Sequence, residues 1–192
     1  MRKELVFLLE ERSAKVMLES LLPRMLDERI EFRLIAFEGK QDLEKRMVMR
    51  MKGYVNSEAR FVVMRDQDSD PNCMALKSRL LAKCQESGRG AVSLVRIACR
   101  ELETFYLADL KAVEKALAVK GISEKQGAAK FRHPDYLVSP SHELKIISKH
   151  RYEKISGSRE IGRYLDVDNV RSDSFRNLVQ GIKLLERELL SL

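Results

Sequence analysis

Residues 62–71 carry the sequence VVMRDQDSDP, in which an apolar run ends in three alternating aspartates and a proline. The apolar run is typical of a buried strand, so the acidic side chains follow at the point where a strand ends. Because alternate side chains of an extended chain point to the same side, Asp66 and Asp68 can face one site. Carboxylates packed this closely repel one another unless a cation lies between them. The stretch therefore predicts a buried strand that ends in a cation site.

Other apolar stretches also predict strands, and amphipathic stretches lie between them. Together the strands are predicted at residues 5–10, 31–37, 60–66 and 91–100. Helices are predicted at residues 13–26, 41–51 and 71–88 and directly after residue 100, with Ser13 and Asp70 as caps of the first and third. This alternation indicates crossover connections, which produce a parallel or mostly parallel sheet covered by helices. The predicted fold class is therefore an α/β sandwich.

The character of the sequence changes after residue 120. Beyond this point the chain is polar, basic and interrupted by glycine and proline. Residues 172–190 then predict a final amphipathic helix, capped by Ser172 or Ser174. We therefore divide the chain into an α/β core at residues 1–120 and a helix-rich extension, packed on that core, at residues 121–192.

Composition narrows the class of protein. The 192 residues are 44% hydrophobic and 34% charged, which is typical of a soluble globular chain and not of a disordered one. No apolar stretch is long enough to span a bilayer, and the first residues do not resemble a signal peptide. The three cysteines lack CxxC spacing, which argues against a disulfide framework or zinc site and favours the cytoplasm. The net charge of +7 favours a polyanionic partner such as nucleic acid.

Acidic residues follow three of the four predicted strands. They are Glu10, Glu11, Asp66, Asp68, Asp70, Glu101 and Glu103. Because the carboxyl ends of parallel strands meet at one edge of a sheet, carboxylates that are far apart in sequence are expected to converge there. Carboxylate oxygens suit Mg²⁺ or Mn²⁺, which keep several waters and leave a position for a phosphate oxygen. The alternative is an acidic turn without a ligand, since aspartate also favours turns. The three histidines lack ligand spacing and are given no role.

The order of these residues resembles the Toprim fold, which type IA and type II topoisomerases, DnaG-type primases, recombination proteins and overcoming-lysogenization-defect (OLD) nucleases share. Glu10 matches the glutamate of that family, and Asp66 and Asp68 match its metal-binding pair. The chain is more closely similar to small uncharacterised bacterial Toprim-like proteins that are often encoded beside AAA-type ATPases. That similarity continues through Gly39 and Lys40 and the stretches RELETFYLAD (100–109) and SDSFRNLVQGIKLL (172–185). Glu11 stands where many relatives have glycine, so it changes the turn or adds a carboxylate.

The resemblance implies a Toprim-like Rossmannoid sandwich and a set of site residues. The implied ligands of Mg²⁺ or Mn²⁺ are Glu10, Asp66, Asp68 and Glu103, the last because the family pattern places its acid just before an aromatic residue. Glu10 is either a ligand or the base that orients the attacking water. Lys40, Arg96 and Arg100 are the candidate nucleic-acid contacts, and the first two are also expected to stabilise charge on the phosphate.

The function predicted from these residues is that of a metal-dependent endonuclease. The expected substrate is nucleic acid, DNA rather than RNA, and the expected partner is an AAA-type ATPase in bacterial anti-phage defence. The alternative is a catalytically degenerate Toprim-like module that binds nucleic acid or the ATPase without cutting. A phosphotransferase on another doubly wound fold ranks last, because it needs an aspartate where Glu10 stands. Self-association is left open, and in residues 149–159 nucleic-acid contact and a solvated basic loop are equally favoured.

Overall fold

The computed structural model of the protein describes residues 2–192, and a four-stranded parallel sheet lies at its centre. The strands are β1 (Glu4–Leu9), β2 (Glu31–Ala36), β3 (Arg60–Asp66) and β4 (Ser93–Ala98). Their order in the sheet is β2-β1-β3-β4, and every neighbouring pair is parallel. The four predicted strands and the α/β class are therefore confirmed, and the sheet is fully parallel.

Helices connect these strands and make up the rest of the regular structure. They are α1 (Arg12–Leu21), α2 (Lys40–Lys52), α3 (Cys73–Glu86), α4 (Glu103–Leu107), α5 (Leu110–Leu117), α6 (Ala129–Arg132), α7 (Pro140–Ile147), α8 (Lys154–Gly162) and α9 (Asp173–Ser191). The first predicted helix ends early, since Pro23 lacks an N–H group and the chain continues as a 3₁₀ turn at Leu22–Arg24. The helix predicted after residue 100 is two helices, because the Asp109 side chain accepts the N–H of Ala112 and starts α5 afresh.

Of the predicted helix caps, one is confirmed and two are wrong. Ser172 caps α9, and its Oγ accepts the N–H of Phe175 at 3.1 Å. Ser13 lies inside the first turn of α1, where its hydroxyl donates to Glu11. Asp70 does not cap α3, since the helix begins two residues later than expected and Asn72 occupies the cap position. The Asp70 carboxylate instead accepts the N–H of Asn72.

Two helical layers cover the sheet. The residues of β1 alternate between the layers, so that both faces of this central strand are buried, as expected for a parallel sheet. Val6 and Leu8 pack with α2 and α3, whereas Phe7 packs with α1 and α9. The segment predicted as an extension thus supplies α9, whose Phe175 lies in the same hydrophobic cluster as Phe7.

The cysteines and the apolar stretches are two features of composition that the structure also describes. All three cysteines carry free thiols, and burial raises the pKa of Cys84 to about 11. In the stretch from residue 2 to residue 192, no helix is both long enough and apolar enough to cross a bilayer.

Gly39 sets the turn between β2 and α2. Its N–H donates to the Glu10 carbonyl at 2.9 Å, and its φ of 95° and ψ of 176° lie in a region that glycine alone adopts readily. We expect Gly39→Ala to lower the free energy of unfolding by about 1–3 kcal/mol, although the added methyl group meets open space. Urea denaturation against Gly127→Ala, another methyl group in open space but without the positive φ, measures the backbone term. Equal stability of the two variants would contradict this account.

Candidate metal centre

A cleft of about 500 Å³ opens at the carboxyl ends of β1 and β3. Its acidic lining comes from segments that are far apart in sequence. The acidic residues of the cleft are Glu10, Glu11, Asp66, Asp68, Glu101, Glu103 and Glu153. The structure therefore brings together all four predicted metal ligands, and Asp70 is not among the lining residues.

The pairing of β1 with β3 places Glu10 beside Asp66. Leu9 lies opposite Met64 in the parallel register, and the N–H of Glu10 extends the ladder by donating to the Met64 carbonyl at 3.2 Å. Just beyond, the N–H of Asp66 donates to Glu10 Oε2 at 3.0 Å. The two acids are 56 residues apart in sequence, and the sheet joins them through one hydrogen bond.

The turn after β4 contacts Asp66, at the end of β3, and Asp68, just beyond it. The N–H of Asp68 donates to the Arg100 carbonyl at 2.7 Å, and the N–H of Leu102 donates to Asp66 Oδ2 at 3.1 Å. Asp68 and Arg100 have φ values of 55° and 62°. This left-handed backbone allows the segments that follow β3 and β4 to turn at the same level. Asp66 thus lies at the end of β3, between the ends of β1 and β4.

Glu103 is the most deeply buried of the candidate ligands, with 2% of its surface exposed. It is the first residue of α4, and its Oε1 accepts the hydroxyl of Tyr152 at 2.9 Å. Burial raises the pKa of Glu103, and the hydrogen bond from Tyr152 partly offsets this effect. Glu101 precedes the helix and lines the same cleft. Its carboxylate accepts the N–H of Ser141 at 2.6 Å, at the start of α7.

Burial and neighbouring negative charges raise the pKa values of Asp66 and Glu10. Burial raises the pKa of Asp66 well above its ordinary range, and the nearby charges of Glu11, Glu103 and Glu10 raise it further. Burial also raises the pKa of Glu10, although the N–H of Asp66 opposes this shift. A group of carboxylates whose ionisation is disfavoured in this way gains most from a positive ion among them.

Two ammonium groups bind carboxylates of the cleft. Lys40 Nζ lies 3.0 Å from Asp68 Oδ2, as the turn at Gly39 directs it, and Lys154 Nζ lies 2.6 Å from Glu11 Oε2. Lys154 was not predicted, nor were Lys145 and His142, which line the cleft from α7. The basic composition of residues 149–159 was the available signal for Lys154. The aromatic residue of that stretch, Tyr152, is a buried partner of Glu103.

The other predicted cations lie elsewhere. Arg96 does not line the cleft, because its side chain extends from the face of β4 that α9 covers and contacts that helix. Its Nε donates to the Asn177 carbonyl at 2.8 Å, and a side chain at Gly181 would meet its guanidinium. Arg100 stays close to the acidic loop, where its Nη1 donates to the Asp68 carbonyl at 3.4 Å, but it is not among the lining residues either. Arg96 therefore holds α9 against the sheet.

Arg65 is a buried cation that the sequence did not reveal. Its Nη1 donates to Glu44 Oε1 at 2.5 Å, and its Nε lies 3.7 Å from Glu10 Oε2. Its guanidinium is held by Glu44, and its Nε, which has no hydrogen-bond partner within residues 2–192, places a positive charge near Glu10. Glu11 has an ordinary extended backbone with a φ of −146°, so its position needs no glycine and the residue adds a carboxylate to the cleft.

The oxygen donors of the cleft fit a hard divalent cation in kind. Across residues 2–192, no three carboxylate, histidine or cysteine side chains are arranged as a complete ligand set. Mg²⁺ does not need such a set, because it takes one or two carboxylates and retains several waters. The partly buried Asp66, with Glu10 and Glu103 around it, offers this kind of incomplete shell.

The comparisons with known proteins agree with the α/β architecture. The C-terminal region of the Burkholderia pseudomallei OLD protein has a similar structure, with a TM-score of 0.54 and 15% sequence identity over 97% of this chain and 98% of that one. At this identity the likeness concerns the fold alone. No curated protein matches the chain. The family described as "Domain of unknown function (DUF4276)" matches residues 9–183, a range that includes every residue of the cleft, and the chain belongs to this family.

Proposed function

We propose that this protein is a metal-dependent nuclease that hydrolyses phosphodiester bonds of nucleic acid. The observation that carries the proposal is the convergence of carboxylates from the ends of three parallel strands on one cleft. Burial and neighbouring charges raise the pKa values of Glu10 and Asp66, so the ionised forms of these two carboxylates are disfavoured without a cation nearby. A divalent cation bound among the carboxylates would offset their mutual repulsion.

The candidate ligands of Mg²⁺ or Mn²⁺ are Asp66, Asp68, Glu10 and Glu103. One or two of them would bind the ion directly, and the others would contact it through the waters that it retains. Bound there, the ion would polarise a phosphoryl oxygen and lower the pKa of a bound water. The N–H of Asp66 holds the Glu10 carboxylate in place, and the charge of Arg65 lies 3.7 Å away, which suits Glu10 to orient the attacking water. The hydroxyl of Tyr152 orients the Glu103 carboxylate through a hydrogen bond.

Cations on the opposite wall would receive the phosphate. Lys154, Lys145 and His142 line the cleft from α7 and α8, and Lys40, which is not a lining residue, binds Asp68 from the start of α2. Positive groups fixed around the scissile phosphate stabilise the charge that develops on its oxygens. The site thus combines carboxylates for the metal with a few cations for the substrate.

The proposed setting is anti-phage defence beside an AAA-type ATPase, with DNA as the substrate. This part of the proposal rests on the resemblance of the ordered motifs to Toprim-like proteins. The similar fold of the OLD protein C-terminal region supports it. The net charge of +7 is compatible with a nucleic-acid substrate.

A second candidate function is a module that binds nucleic acid or a partner without cutting. The observation that favours it is the pairing of Lys40 with Asp68 and of Lys154 with Glu11, which neutralises two carboxylates within the protein. In this alternative the cleft is a charge-balanced surface and takes no metal.

Incubation of the purified protein with plasmid, single-stranded DNA and tRNA decides between the two. We expect cleavage with Mn²⁺ or Mg²⁺ and none in EDTA, with the protein alone or together with an AAA-type ATPase of the proposed kind. Glu10→Gln should reduce cleavage strongly, whereas Glu58→Gln, an acid remote from the cleft, should not. Binding without cleavage in every metal, and without a metal-dependent rise in melting temperature, would establish the second candidate.

A further inference from the structure

A second pocket, of about 640 Å³, lies at the far end of α8 from the candidate metal centre. Helix α8 begins with Lys154 in the acidic cleft and ends with Gly162, two residues before Tyr164 of the second pocket. A helix of this length spans about 13 Å. The two sites are therefore close enough to contact one extended ligand.

Four exposed cations surround this pocket, and we call them with Tyr164 the basic pocket. The cations are Arg24, Lys111, Lys115 and Arg171. Within the described part of the chain, none of the four takes part in an ion pair with a carboxylate. The guanidinium of Arg24 donates to the Gly162 and Leu165 carbonyls, which leaves its charge uncompensated.

The two carboxylates of the pocket are engaged by the backbone. Asp109 accepts the N–H groups of Ala112 and Asp166, at 3.0 and 2.8 Å. Asp166 accepts the N–H of Asp168 at 3.0 Å. Four cationic side chains against two carboxylates leave an excess of two positive charges, which favours an anionic ligand.

Tyr164 adds an aromatic surface to this charge. Its side chain is 37% exposed, and Lys115 Nζ lies 4.4 Å from the centre of its ring. A basic groove with an exposed aromatic ring is the combination by which proteins bind unpaired nucleic acid, since phosphates contact the cations and a base stacks on the ring.

Arg151 connects the basic pocket to the candidate metal centre. It precedes Tyr152 of the cleft, and its Nη1 donates to the Ala118 carbonyl at 3.0 Å, directly after α5. Helix α5 carries Lys111 and Lys115. Arg151 thus adds one cation between Tyr152 of the cleft and the end of α5.

We propose that the basic pocket binds a single-stranded segment of nucleic acid next to the scissile phosphate. This inference rests on the proposed function, because it assigns the form of the substrate: a polynucleotide with an unpaired stretch beside the cleavage point. The four cations contact the backbone, and Tyr164 stacks on a base.

Fluorescence anisotropy in EDTA, with a labelled oligonucleotide as a single strand and as a duplex, tests the inference without cleavage. For Lys111→Glu/Lys115→Glu/Arg171→Glu we expect at least a roughly tenfold rise in the Kd for the single strand. The slope of log K against log salt should fall by about 2, at roughly 0.7 per lost phosphate contact. Tyr164→Ala should raise the Kd for the single strand about tenfold and that for the duplex less.

The matched control is Lys45→Glu/Arg50→Glu/Lys52→Glu, which makes the same charge change on α2, across the sheet from the basic pocket. We expect its Kd to stay within about threefold of the wild-type value, and melting temperatures verify that each variant folds. The inference is overturned if the wild type does not bind the single strand, or if the two triple variants lose affinity equally. Since EDTA prevents metal-dependent cleavage, failure of the nuclease assay leaves this result standing, and the reverse also holds.

Discussion

Asp66→Asn is expected to abolish metal-dependent cleavage and, at the same time, to make the metal-free protein more stable. The loss of activity follows from the position of Asp66 between the ends of three strands, where its carboxylate is the centre of the proposed metal shell. Loss of the metal removes several kcal/mol of charge stabilisation, so we expect a fall in rate on the order of a thousandfold.

The gain in stability has an electrostatic cause. The pKa of Asp66 in the folded protein lies well above the ordinary value of 3.8, since burial and the charges of Glu11, Glu103 and Glu10 disfavour its ionised form. An asparagine is neutral and keeps an oxygen that can accept the N–H of Leu102. We expect a gain in the free energy of unfolding on the order of 1 kcal/mol at pH 7.

The pH dependence of this gain is a stricter test. Because the folded state binds the Asp66 proton more tightly than the unfolded chain does, the stability contributed by this group is highest at low pH and falls as pH rises through the folded pKa. The stability difference between Asp66→Asn and the wild type should therefore grow as pH rises above about 4. Urea denaturation in EDTA at several pH values measures it.

Asp70→Asn is the matched control, because this acid belongs to the same loop but faces Arg79 and does not line the cleft. We expect it to leave cleavage and its metal dependence near wild type. A metal-free Asp66→Asn variant that is less stable than the wild type would refute the electrostatic account. Undiminished cleavage by that variant would refute the proposed metal centre.

Gly162→Val is expected to lower the free energy of unfolding by about 3 kcal/mol, the largest loss among these variants. A Cβ at Gly162 would lie 2.6 Å from the Met17 carbonyl oxygen and 3.1 Å from Ser20 Cβ. The nearest atom belongs to the backbone of α1, so it cannot give way as the end of a flexible side chain would. The larger side chain must push α8 away from α1.

The expected loss corresponds to a fall in melting temperature of roughly 6–12 °C for a chain of this size. Gly127→Val is the control, since a side chain there meets open space. Activity below the melting temperature should also fall, because α1 follows Glu11 and α8 begins with its partner Lys154. Equal melting temperatures of the two valine variants would show that the helices do not depend on this close contact.

The strands and the acidic edge of the sheet were predictable because their signals are local or follow from topology. Apolar runs such as the one before Asp66 mark buried strands, and parallel strands must place their carboxyl ends together. That rule alone predicts that Glu10 and Asp66, which are 56 residues apart in sequence, lie close together. The cap at Ser172 was likewise predictable, because a cap depends on residues within one helical turn.

Other features depended on which segments pack together, and no local pattern encodes this. Arg96 carries the same charge as a phosphate-binding residue, yet the packing of α9 on its face of β4 made it an anchor. Asp70 missed the cap position because α3 begins after Asn72.

The sequence by itself determined a parallel α/β sheet with a row of acids along one edge. The tertiary structure alone decided what faces those acids, because α7, α8 and the segment between them deliver Lys145, Lys154 and Tyr152 from the far half of the chain. The physical reason is that backbone propensity and hydrophobic period act over a few residues, whereas the wall of a cleft is set by long-range burial.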